Sequence, residues 1–285
     1  MIKIIGAILL LLLLIEYIRN LKPQITRITV ESDRLGEAFD GLTMVVLADL
    51  HNYSYGKENE VLIKQIDSIK PDIVLIAGDM LVRKAPKKYD TAYRLLKVLS
   101  RKYPIYYGMG NHEQSLACER EEYAALFKNY ADKLTKDGIV LLDNESITLK
   151  RKKNTLKITG LSIEKPYYGK SRIPKMPGDY IENLVGKCES ECYNILIAHN
   201  PAYFENYVAY GADLILAGHV HGGIIRIPFL GGMLSPQYRF FPKYDAGRFS
   251  EKGSTMLISR GLGLHTLKFR IGNRPELMTV VIKRK

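Results

Sequence analysis

Five of the six histidines in this chain stand in polar clusters at the ends of short apolar runs. They are His51, His112, His199, His219 and His221. Asp49 and His51 are two positions apart, and so are His219 and His221. Residues with that spacing on an extended segment point to one side, so each pair can aim two donors at one centre. Asp79 adds a carboxylate that can bridge two ions, and Asn111 adds a neutral amide oxygen. Imidazole nitrogens and carboxylate oxygens suit Zn, Mn or Fe, and no thiolate joins these clusters. A lone Asp-x-His or Gly-Asp is more often structural. Five such clusters in order, each closing an apolar run, point instead to a shared metal site. The sixth histidine, His265, is isolated and reads as a structural or rim residue.

The runs that must position these residues repeat one theme. Thr43 to Ala48 ends at Asp49-Leu50-His51, and a helical pattern with Leu62, Ile66 and Ile69 on one face follows. Asp72 to Ala77 ends at Gly78-Asp79, before a helix around Ala92, Leu95, Leu96 and Leu99. Pro104 to Tyr107 leads to Gly110-Asn111-His112-Glu113, and a long helix carrying Tyr123, Leu126, Tyr130 and Leu134 ends at Gly138. Tyr193 to Ala198 ends at His199-Asn200, with Asn200 capping a helix that Gly211 closes. Asp213 to Ala217 ends at Gly218-His219-Val220-His221. Continuous apolar runs alternating with helices indicate buried strands of an α/β fold, in which ligands gather beyond the carboxyl ends of the strands. The run Lys150 to Asn154, between two alternating stretches, reads as an exposed hairpin turn. Residues 164–191, rich in Pro, Gly and charge, read as an excursion.

The blocks Asp49-Leu50-His51, Gly78-Asp79, Gly110-Asn111-His112-Glu113, His199 and Gly218-His219-Val220-His221 closely resemble the calcineurin-like metallophosphoesterase superfamily. Within it the chain resembles the bacterial branch with an N-terminal transmembrane segment. The resemblance implies a two-sheet β-sandwich flanked by helices, and two divalent ions (Mn, Fe or Zn). One ion would be held by Asp49, His51, Asp79 and His221. The other would be held by Asp79, Asn111, His199 and His219. It further implies hydrolysis of a phosphodiester or pyrophosphate by a metal-bound hydroxide, with His112 at the phosphate assisting the leaving group. Two departures touch substrate choice and not the ligands. Ile224 follows Gly222-Gly223 where many relatives have a polar residue, and Gly160-Leu161-Ser162-Ile163 lacks an acidic pair.

Residues 1–22 read as an N-terminal apolar helix, residues 23–40 as a linker and first strand, and residues 41–285 as the metallophosphoesterase domain. Ile4 to Ile15 is almost wholly aliphatic. That stretch is short against the ~20 residues of a full span. No small-x-small cleavage site follows it, which favours an uncleaved single-pass anchor over a signal sequence. Arg19, Lys22, Arg27 and Arg34 lean toward a cytoplasmic catalytic part, and the side of the membrane stays open. The net charge of +12 draws anionic partners such as phosphate esters, anionic lipid or nucleic acid. Three cysteines is an odd number, which argues against a full disulfide framework, and no CxxC pair argues for structural zinc.

The segment from Ile224 to Phe249 mixes aromatics with Arg226, Arg239, Lys243 and Arg248, and is expected to border the site and suit a lipid head group or a bilayer. The resemblance reaches, at the outside, enzymes that cleave the pyrophosphate of UDP-diacylglucosamine. A nuclease or general phosphomonoesterase is the alternative within the superfamily. No aromatic stacking module marks a nucleic-acid channel, so nucleic acid is not the expected partner. A membrane-tethered metal-binding scaffold without turnover is the reading from another class.

Overall fold

The computed structural model describes residues 2–83, 89–169, 173–223, 225–227, 229–235, 240–264 and 270–285. His265, Arg239 and Ile224, singled out in the sequence, lie outside the described residues.

Twelve strands make two sheets of six. The first sheet holds β1 (Gln24–Ser32), β2 (Thr43–Leu47), β3 (Ile73–Ala77), β4 (Ile105–Gly108), β5 (Val140–Leu142) and β14 (Glu276–Arg284). Its order is β1-β14-β2-β3-β4-β5, with β2 to β5 parallel. The second sheet holds β6 (Glu145–Arg151), β7 (Asn154–Leu161), β8 (Tyr193–Ala198), β9 (Leu214–Ala217), β12 (Gly247–Glu251) and β13 (Ser254–Ile258). Its order is β12-β13-β9-β8-β7-β6, with β7, β8, β9 and β13 parallel. A separate two-stranded ribbon pairs β10 (Arg226–Ile227) with β11 (Gly231–Gly232).

The pleat explains why these runs are apolar at every position. Met44 and Val46 of β2 face the second sheet, where they meet Ile195, Ile197, Leu214 and Leu216 in one core. Val45 and Leu47 point the other way, onto α2 (Glu60–Ile69), α3 (Asp90–Ser100) and α5 (Glu121–Lys136). In the second sheet Leu196 and Ile215 turn outward to α6 (Tyr180–Val185) and α7 (Phe204–Tyr210). Each central strand is therefore buried on both faces, and alternation disappears. The result is the β-sandwich between helix layers that the resemblance implies.

Local expectations meet the structure closely in most places. The basic turn is as tight as a hairpin allows: Arg151 pairs with Asn154, leaving Lys152 and Lys153 at the tip. Asn200 accepts from Ala202 N through its side chain, and Gly211 ends α7 in the left-handed region at φ 99°. Besides α6 and the β10–β11 ribbon, two elements are additional to those expected from the sequence. A short helix α4 (Asn111–Cys118) begins on the site residue itself. Its brevity and mixed composition hid it beside the longer α5. The β12 strand alternates around charged residues at a sheet edge and has no apolar run to announce it.

Residues 2–20 form α1 (Ile2–Asn20), in which Ile4, Ile5, Ile8, Ile18 and the leucines from Leu10 to Leu14 are exposed, Leu10 at 70 %. No helix among the described residues is long and apolar enough to cross a membrane.

Leu75 sits on the inner face of β3 with no exposed surface. Leu75→Ala leaves a void between the sheets and is expected to cost about 2–5 kcal/mol. Urea unfolding of the metal-free protein, with an unchanged m-value, measures it.

Candidate metal centre

The carboxyl ends of β2, β3, β4, β8 and β9 open on one edge of the sandwich, and the loops leaving them carry the donors. Asp49 and His51 follow β2, Asp79 follows β3, and Asn111 begins α4 just after β4. His199 follows β8, and His219 and His221 follow β9. Convergence demands unusual backbone. Asp49, His51, Asp79, His219 and His221 all adopt left-handed conformations, with φ of 53°, 50°, 53°, 70° and 55°. Aspartate and histidine tolerate that region better than most residues, and such strain gathers at functional sites. The loops also pack without room to spare. A Cβ on Gly110 would collide with the Asp79 carboxylate, and one on Gly218 would lie 2.6 Å from Asp49 Oδ2.

The donors meet in three overlapping groups: Asp49, His51 and His221; His51, Asp79 and His112; Asp79, His199 and His219. Within each group, one ligand atom per residue lies within 4.8 Å of the others. His51 Nε2 and His221 Nε2 face each other at 3.0 Å. His221 Nε2 lies 3.3 Å from Asp49 Oδ1, and His199 Nε2 lies 3.1 Å from Asp79 Oδ2. Asp49, Asp79, His199 and His221 are at most 4 % exposed.

These groups fit cations. Two carboxylates buried together are costly without positive charge between them. Burial pushes the Asp49 carboxyl up to about 7, against the pull of His199, while Asp79 adds to the rise. Burial alone would also raise Asp79, but the imidazoles of His199, His112 and His51 outweigh it and hold that carboxyl well below the ordinary range. Burial opposes charge on His199, yet Asp79 and Asp49 overcome it and push this imidazole up to about 10. His199 Nδ1 lies 2.6 Å from the Ala77 carbonyl, which can only accept, so Nδ1 carries a proton. Its Nε2 is then the atom left to hold either a proton or an ion. Asn111 Oδ1 is buried with no hydrogen-bond partner, an orphan acceptor of the kind an ion satisfies. All seven expected ligands thus line one region, with His112 beside them.

His112 is set by a backbone group. The Arg83 N–H donates to His112 Nδ1 at 2.8 Å. With Nδ1 accepting, the neutral ring carries its proton on Nε2, which lies 3.9 Å from Asp79 Oδ2 and faces the centre.

Two residues of the site had no role assigned from sequence. Glu113 is fully buried. Its Oε2 accepts from Asp79 N and Gly110 N, and its Oε1 from Leu81 N and the Tyr107 hydroxyl, all at 2.9–3.0 Å. It holds the Asp79 loop to the start of α4. The available signal was its place three residues after the N-cap, where glutamate reaches back to the cap N–H. Tyr168 lies in the excursion, its ring edge-on to His219 at 5.1 Å and its hydroxyl buried without a partner. No sequence signal pointed to it.

Beside the donors opens a cavity of about 860 Å³, lined by His51, Asp79, Asn111, His112, Tyr168 and His219 and continuing over apolar residues such as Val82, Ile163 and Leu184. Among the described residues, none of 225–249 lines it, contrary to the expectation for that segment. Gly222 and Gly223, both left-handed at φ 68° and 79°, turn the chain away just after His221. The excursion supplies this wall instead, through Lys165, Tyr168 and Gly169.

A helix-flanked double sheet with a buried cluster of imidazoles and carboxylates at the strand ends is the architecture of a metal-dependent phosphoesterase. Residues 42–223 match the family model described as calcineurin-like phosphoesterase, and the chain belongs to that family of metal-dependent phosphoric ester hydrolases. Among its relatives is the uncharacterized metallophosphoesterase YkuE of Bacillus subtilis, 26% identical over 94% of this chain and 89% of that protein. The transmembrane protein with metallophosphoesterase domain of Danio rerio is 24% identical over 92% of this chain and 57% of that protein. The UDP-2,3-diacylglucosamine pyrophosphatase LpxG of Chlamydia trachomatis is 24% identical over 86% of this chain and 85% of that protein.

Two predictions follow from the buried acids. Burial, with the charge of Asp79 adding, pushes the Glu113 carboxyl up to about 7 from 4.5, against the pull of its donors. An acid with a raised folded pKa favours the native state fully below its unfolded value and loses that contribution as pH rises through the folded value. Asp49 shares the sign. The metal-free protein should therefore have a lower urea midpoint at pH 8 than at pH 5, and saturating metal should flatten the difference. Glu113→Gln turns an amide NH₂ toward backbone donors and should weaken metal binding by about 10–100-fold, as measured by metal titration.

Proposed function

We propose that this chain is a two-metal phosphoesterase that cleaves a phosphodiester or pyrophosphate in a lipid-linked or small anionic substrate at a membrane. The observation that carries the reading is the convergence of buried donors from five separate loops into overlapping groups spanning both sheets. One ion would be held by Asp49, His51, Asp79 and His221, and the other by Asp79, Asn111, His199 and His219, with Asp79 shared. The all-nitrogen and oxygen donor set suits Mn, Fe or Zn. When bound, such a pair supplies Lewis acidity and brings the pKa of a shared water toward neutrality.

The chain's own residues do the rest. Asn111 completes a ligand shell without adding negative charge. His112, with its proton on Nε2, donates to the oxygen that leaves phosphorus and so steadies the charge gathering there. The Arg83 N–H keeps that ring in the donating tautomer. Glu113 fixes the Asp79 and Gly110 backbones, so the ligands are placed before substrate arrives. The apolar floor of the cavity takes an organic group of drug-like size or larger. Arg83 and Lys165 at its mouth, both bound to Glu119, give an anionic substrate a cationic approach. The exposed aliphatic side of α1 supports a place at a membrane, as does the name of the Danio rerio relative. The pyrophosphatase name of the Chlamydia trachomatis relative supports the pyrophosphate arm.

Hydrolysis of bis-p-nitrophenyl phosphate, nucleotide-sugars and single-stranded DNA by the same metal-loaded sample tests the reading. Activity should vanish with chelator and return with Mn. Asp79→Asn should abolish it, and His112→Ala should lower kcat by about 10²–10⁴-fold while metal content holds. A fully metal-loaded protein that turns over none of these substrates would leave a binding scaffold as the better account. Preference for DNA would favour a nuclease.

A further inference from the structure

Two apolar features outside the metal centre share one attachment. The first is α1. Its aliphatic stretch from Ile4 to Ile15 is ~18 Å long at 1.5 Å per residue, well short of the ~30 Å hydrocarbon core of a bilayer. It can enter a bilayer but does not cross one unaided.

The second is a knuckle formed by β10, β11 and the residues beside them. Phe229 and Leu230 stand between its two strands, 108 % and 65 % exposed, and Phe240 and Phe241 stand beside it, 69 % and 52 % exposed. Phe229 and Phe241 hold left-handed backbone at φ 67° and 45°. Bulky residues take that conformation only at a cost. Four large apolar side chains displayed in this way are out of place in water. The display is built, not loose. Asp245 Oδ2 accepts from Arg226 and from Gly232 N at 2.9 and 2.6 Å, and Phe241 N donates to Met233 O. Leu234 forms an antiparallel bridge with Phe240.

Both features are fastened to residues 270–272. Ile225 at the base of the knuckle bridges Ile271, and Arg226 N donates to Ile271 O. From the other side, Asn20 donates to Arg270 O, and Gly272 N donates to Glu16 Oε2. Ile271 lines a cavity of about 190 Å³ together with Leu13, Tyr17 and Leu21. Arg226, paired with Asp245, and Lys243, paired with Glu205, lie near the knuckle on a chain of net charge +12. Apolar side chains displayed on a chain of this net charge complement an anionic lipid surface.

We infer that the knuckle is a second membrane contact, which seats its aromatic side chains in the head-group layer of an anionic bilayer beside α1. This inference rests on the membrane part of the proposed function and is independent of the metal chemistry. The chain contains no tryptophan, so Phe229→Trp in the full-length protein introduces a single indole reporter. On vesicles of phosphatidylglycerol and phosphatidylcholine its emission should shift to the blue and be quenched by brominated acyl chains. Leu230→Trp serves as a second reporter. Val98→Trp, on α3 and 36 % exposed, should show neither effect. The double substitution Phe229→Ser, Phe241→Ser should lower co-sedimentation with these vesicles several-fold and leave hydrolysis of soluble bis-p-nitrophenyl phosphate unchanged. Vesicle-bound protein whose indole at 229 and 230 stays in water overturns the inference and leaves α1 as the sole contact. Full-length protein that ignores vesicles but still hydrolyses the soluble substrate overturns both the inference and the membrane reading. Loss of hydrolysis in every sample counts against the enzyme reading alone.

Discussion

Two buried carboxylates within reach of five imidazoles set the terms for the rest of the molecule. Asp49 and Asp79 stand at most 2 % exposed, on neighbouring strands of one sheet, and their charges need an answer that solvent cannot give. In the metal-free chain the answer is a proton on His199. Divalent cations answer it better, because they satisfy oxygens and ring nitrogens together. The left-handed loops, the glycines at Gly110 and Gly218 and the buried Glu113 all make sense as means of holding this charge arrangement in a space that hydrophobic packing would otherwise fill.

The sandwich is suited to the task because both sheets end on the same edge. Asp49 and Asp79 come from the first sheet, and His199, His219 and His221 from the second. Two hydrogen-bonded links already cross between them: His199 to the Ala77 carbonyl, and His219 N to Asp49. The layers outside the sheets have a separate job. They cover the outward faces of the strands and, through the excursion after β7, build the wall of the cavity.

Much of this was legible in the sequence, for identifiable reasons. Strands buried on both faces leave unbroken apolar runs, so β2, β3, β8 and β9 announced themselves together with the residues at their ends. Histidine is scarce enough that five placed alike stand out. Other parts were hidden. Helix α4 is short and starts on Asn111, so its period never had room to develop. Glu113 acts through backbone N–H groups from three different positions, and only the fold brings those together. The wall of the cavity was sought in 224–249 because that segment is next to His221 along the chain. Gly222 and Gly223 break the link between nearness in sequence and nearness in space.

The tie between His199 and Ala77 has a mechanical meaning. It joins the ends of β8 and β3, strands that belong to opposite halves of the core. An ion held across the same seam would act as a rivet. Sliding of one half past the other would have to shear it, so metal binding and the rigidity of the scaffold would be lost in a single event.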